Sequence, residues 1–164
     1  MTTFNRYKIT AAVAALAFAA GLASPARAQT SAHSHDAATP HKLSLDHSRK
    51  WATDEALRNG MGRIRGLVEP RLSNADKLDA AQYRDLAAQV ETEVGTIVAN
   101  CKLEPKADAM LHLVIADLLA GTDAMAGKNA KLRPAQGLAK VVVAVNEYGG
   151  HFDHPGFKPI RDIH

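Results

Sequence analysis

The sequence predicts an all-α protein: an antiparallel up-down-up-down four-helix bundle. Four successive stretches repeat apolar residues at the three-to-four spacing of one helix face. The connections between them are short enough to join antiparallel neighbours. Only 5% of the 164 residues are aromatic, so the core must be built from Leu, Val, Ile and Ala. The length fits one domain.

The first helix is expected to start at Thr53-Asp54-Glu55, where a capping side chain and acids suit a helix N-terminus. It carries Leu57, Met61, Ile64 and Val68 on one face, and Pro70 falls near its end. The second begins at about residue 79 and aligns Tyr83, Leu86, Val90, Val94, Ile97, Val98 and Cys101. Pro105 opens the third at its first turn, where a missing N–H costs little. Its inner face holds Leu111, Val114, Ile115, Leu118, Thr122 and Met125, and Gly127 and Asn129 suit its exit. The fourth runs from about residue 134 through Leu138, Val141, Val142, Val145 and Tyr148. Gly149-Gly150 is a C-cap signal that should stop it before His151. Val141-Val142-Val143 could be read as a strand, but nothing beside it offers a partner.

Residues 1–28 read as a signal peptide. Arg6 and Lys8 precede an apolar run from Ile9 to Leu22, and Ala26-Arg27-Ala28 has the small–x–small shape of a cleavage site before Gln29. The run, about 14 residues, is too short for a bilayer-spanning helix, which needs ~20. The expected product is periplasmic, with no stable membrane insertion after cleavage. The formal net charge is +3. Removing the leader takes Lys+Arg from 20 to 17, equal to the 17 Asp+Glu. A balanced chain lacks the durable basic face of a nucleic-acid binder. Residues 29–48 hold His33, His35, His41 and His47 with almost no large apolar side chain, which predicts a flexible arm able to chelate a divalent ion loosely. The bundle is assigned to residues 49–158 and a short tail to 159–164.

In the predicted topology the start of the first helix, the end of the second, the start of the third and the end of the fourth share one end. Met61, Cys101, His112, His151 and His154 all fall there. The opposite end, around residues 72–78 and 125–134, has no His or Cys. Each residue also has a plain role: Met61 as core filler, Cys101 as a small buried hydrophobe, His112 as a hydrogen-bonded structural residue, and His151 and His154 as surface side chains in a Gly- and Pro-rich turn. Together they form a soft-to-borderline donor set, favouring copper, with zinc as an alternative. A metal-binding protein for sequestration, handover or sensing is the leading expectation, with a metal ion as its partner. Cys101 also allows a homodimer. A Cys101–His112 thiol catalyst is the enzymatic alternative, although no glycine-rich oxyanion loop accompanies it. A structural or partner-binding bundle without cofactor is the remaining reading.

Two stretches, Leu57-Arg58-Asn59-Gly60-Met61-Gly62-Arg63-Ile64 and Asn146-Glu147-Tyr148-Gly149-Gly150-His151, resemble the periplasmic four-helix cytochromes, the superfamily of cytochrome c-prime and its soluble b-type relative. The chain has no Cys-x-x-Cys-His, so the resemblance implies non-covalent b-type haem in an electron carrier, held by Met61 and His151. Cys101 and His112 have no counterpart in that pattern.

Overall fold

The computed structural model describes residues 42–161. Within them the protein is all-helical: α1 (Glu55–Leu72), a single 3-10 turn (Ala75–Lys77), α2 (Ala80–Asn100), α3 (Pro105–Met125) and α4 (Pro134–His151). The described residues contain no strand, only isolated bridges. Val141-Val142-Val143 lies inside α4.

Each helix starts where its local chemistry directs. The Asp54 carboxylate caps α1 by accepting from the Leu57 N–H at 2.8 Å. Asp79 and Gln82 form a reciprocal capping box at α2, the Asp79 carboxylate taking the Gln82 N–H and the Gln82 side chain taking the Asp79 N–H. Pro105 and Pro134 stand at the first positions of α3 and α4, and the Gln136 side chain accepts from the Arg133 N–H.

Consecutive helices pack around one core, and α4 closes back on α1. All the apolar positions anticipated for α1, α3 and α4 are buried, joined by Met110 and by small residues such as Ala107, Ala124 and Ala144. On α2, Val98 is 58% exposed. Ile97 takes the inward position there, facing Gly60 of α1, and the next residue is turned about 100° away from it.

The closest helix approach is between α3 and α4. A Cβ on Gly137 would stand 2.5 Å from the Met125 nitrogen and 2.6 Å from the Gly121 carbonyl oxygen. A Cβ on Gly121 would meet Val141 at 2.6 Å. Glycine here lets two backbones touch.

Contrary to the sequence expectation, α4 passes through Gly149-Gly150 and ends at His151. Neither glycine has the positive φ of a C-cap. Gly149 instead makes room for the Phe157 ring, which a Cβ would meet at 3.0 Å. The helix is finished by Phe152, whose N–H donates to the Tyr148 carbonyl at 2.9 Å and whose extended backbone pairs with Trp51.

Both flanks of the bundle are engaged. Residues 42–48, part of the arm read from the sequence, lie against the helices: Leu43 packs on the core and the Trp51 indole N–H donates to the Ser44 carbonyl at 2.6 Å. His47 and Ser48 take φ of 47° and 67°, so that Asp46 and Arg49 exchange backbone hydrogen bonds across a two-residue turn. In the tail, Ile160 is buried, and the Asn146 amide both donates to the Ile160 carbonyl and accepts its N–H. The predicted leader and His33, His35 and His41 lie outside the described residues.

These contacts set opposite outcomes for glycine substitutions. Gly137→Ala should lower unfolding stability by about 3 kcal/mol, because backbone and not a flexible side chain blocks the new methyl. Gly62→Ala and Gly66→Ala, whose methyls would enter open space, should be neutral or raise stability by about 0.5–1 kcal/mol. Urea denaturation of the three variants measures the contrast.

Candidate functional site

The end of the bundle singled out by the sequence is closed by residues 50–54, which run between the end of α4 and the α2–α3 connection. The Trp51 N–H donates to the His151 carbonyl and the Asp153 N–H to the Trp51 carbonyl, both at 2.8 Å. The Thr53 hydroxyl donates to the Asp153 carbonyl at 2.6 Å, and the Lys50 ammonium to the Gly149 carbonyl at 2.6 Å. On the other side the second oxygen of Asp54 accepts the Lys102 N–H at 2.5 Å, next to Cys101. Trp-Ala-Thr-Asp and His-Phe-Asp-His are therefore two halves of one seam.

Beneath the seam sits an aromatic cluster. Tyr148 and Phe152 are fully buried and stacked with centroids 5.3 Å apart, while Phe157 meets Tyr148 edge-on at 5.1 Å. His154 lies 4.8 Å from Phe157 by ring centroid, and its Nδ1 is 2.9 Å from the Tyr148 hydroxyl. Burial pushes the Tyr148 phenol far above its ordinary range, so the phenol donates and Nδ1 accepts. Burial, then the nearby Arg58 guanidinium, holds His154 below the ordinary imidazole value. His154 is thus a neutral partner of Tyr148, with its own proton on Nε2.

The other candidates fall into two groups. Met61 is 0% exposed and packed in the core with Leu57 and Ile64. His112 and His151 keep a free nitrogen. Nδ1 of His112 lies 2.9 Å from the Asp108 carbonyl and 3.4 Å from its carboxylate, and the side chain is 64% exposed. His151 repeats the arrangement on Glu147, at 2.8 and 3.2 Å, with the side chain 22% exposed. In the neutral ring an acceptor pair at Nδ1 favours the proton there and leaves Nε2 as a lone pair, the orientation used by metal-binding imidazoles.

Cys101 caps α2 and is half-buried. Burial, Asp54 and Asp108, in that order, push its thiol up. It is held protonated, opposite to the lowered pKa of a nucleophilic cysteine. Asp108 therefore acts on both Cys101 and His112, at one corner between α2 and α3. Among the described residues no three His, Cys, Asp or Glu side chains are grouped to hold a metal ion.

No family model, curated protein or solved structure matches the chain. The cytochrome resemblance therefore rests on its two sequence stretches alone. The residues do not fit haem as packed. Met61 is fully buried in the hydrophobic core, and Tyr148 and Phe152 fill its end beside α4.

Sequence reasoning missed the Tyr148–His154 pair, Asp54 as a bridge, and Asn146 with Ile160. The six-residue separation of Tyr148 and His154, just ahead of a Pro-Gly turn, was the available signal. Gly156 takes φ of +78° and Phe157 N–H returns to the His154 carbonyl at 3.0 Å, folding the Phe157 ring back onto α4 beside His154.

The depressed His154 titration has a defined consequence. The unfolded chain takes up the proton first, near pH 6.5, so this contribution to stability is complete above that pH and is lost as pH falls toward the folded-state value. Wild type should lose more stability than His154→Gln between about pH 7 and about pH 5. Tyr148→Phe, which removes the donor favouring neutral imidazole, should move the His154 ring titration upward in an NMR pH series.

Proposed function

We propose that this chain is a periplasmic, exported four-helix-bundle protein of up-down-up-down topology that binds a soft metal ion, copper in preference to zinc, for sequestration, handover or sensing. The observation that supports this reading is the Cys101–Asp108–His112 corner. It combines a thiol kept neutral by burial and then by Asp54 and Asp108 with an imidazole whose Nδ1 faces the Asp108 carbonyl and carboxylate. Those carboxylates favour any cation that replaces the thiol proton, so binding and deprotonation reinforce each other. Cu(I) suits such a corner, because it prefers soft sulfur and accepts few donors. His151, with its free Nε2, is the third candidate donor. Met61 and His154 have roles in the fold, and the ligand set is reduced accordingly.

A second reading, a bundle that binds another macromolecule without a cofactor, is favoured by the absence of a three-donor group among the described residues.

The reduced protein should withdraw one equivalent of Cu(I) from a chromogenic competitor. Cys101→Ser should abolish this and His112→Gln should weaken it by at least about tenfold, with unchanged helical circular dichroism in both. Withdrawal that ignores both substitutions would overturn the site. No withdrawal by wild type would favour the second reading.

A further inference from the structure

Away from the seam, α1 and the C-terminal tail enclose an open cleft of about 550 Å³. Arg65, Glu69 and Leu72, successive on one face of α1, form one wall, and Lys158, Pro159 and Arg161 form the other. Its architecture is supported from below. Ile160 is buried and its backbone is held at both polar atoms by Asn146, which fixes the exposed residues on either side of it.

Arg65 is positioned in advance. Its Nε donates to the Lys158 carbonyl at 2.7 Å and one terminal nitrogen to the Glu69 carboxylate at 2.6 Å. Two of the five guanidinium donors are used to hold the fork, and the remaining N–H groups keep their hydrogen-bonding capacity. Among the described residues the cleft sets three cations against one carboxylate. The carbonyl end of α1 near Leu72 adds about half a negative charge, which leaves the cleft positive. Leu72 and Pro159 give it an apolar portion. A rigid guanidinium, two flanking cations and an apolar wall suit a ligand with an anionic head and a hydrocarbon body.

We propose that the cleft between α1 and the tail binds a small soluble organic anion, a carboxylate or phosphate ester with an apolar body, its head on Arg65, Lys158 and Arg161 and its body against Leu72 and Pro159. This site is separate from the Cys101 corner and stands independently of the metal reading.

The test titrates the full mature chain with hexanoate and with hexyl phosphate, following backbone amide resonances. Saturable shifts should centre on Arg65, Leu72 and Lys158. Binding should be at least tenfold weaker for neutral hexanol and for the double variant Lys158→Ala/Arg161→Ala, which leaves Ile160 and Asn146 intact. Arg65→Gln should also weaken it, and Lys140→Ala, on α4 and outside the cleft, should not. The proposal is overturned if neither anion gives a saturable shift at these residues, if hexanol binds as well as the anions, or if the double variant binds undiminished. A response to phosphatidylglycerol vesicles alone, with neither soluble anion active, overturns it too.

Discussion

One carboxylate joins the parts that the helices alone would leave apart. Asp54 caps α1 with one oxygen and holds the backbone beyond α2 with the other. A buried helix end without such partners leaves orphan N–H groups, each costly to desolvate. By serving two segments, Asp54 sets the entry of the chain into α1 against the α2–α3 turn. The flanking residues then stitch to the end of α4 through Trp51, Thr53 and Asp153.

This closure decides what chemistry the end of the bundle retains. Met61 is packed within the hydrophobic core, and the part-buried His154 is engaged by Tyr148 and Phe157. His112 is exposed and His151 half-buried, each with Nδ1 engaged by the preceding turn and Nε2 left over. Cys101 sits at the helix terminus between acids. The same end of one fold thus divides its polarisable residues into structural and available sets, according to burial for Met61 and to hydrogen-bond partners for the imidazoles.

The four helices do not contribute equally. α3 and α4 meet backbone to backbone at Gly121 and Gly137, whereas α1 and α4 form the loosest of the adjacent pairs. Phe157 and Ile160 of the tail reinforce that side, with Asn146 on α4 and Arg65 on α1 gripping the tail backbone. A chain with few aromatic residues places Tyr148, Phe152 and Phe157 together where the helices leave most to be covered.

Periodicity, caps and prolines were sufficient to read four helices and nearly all of their inward faces, because these depend on interactions a few residues apart. Asp54 as a cap, Pro105 and Pro134 as helix openers, and the burial of Leu57, Ile64, Val141 and Tyr148 all follow from local spacing. The role of Gly149 did not, since the same residue can end a helix or admit a ring, and only the position of Phe157 distinguishes the two. Nor did the fate of Met61, His112, His151 and His154: sequence placed them toward one end, but the direction of each side chain depends on neighbours from distant segments. The sequence by itself determined the helices and the inventory of donors. The tertiary structure decided which donors became core and which kept a free lone pair, because burial and hydrogen-bond partnership are settled only when remote backbones meet.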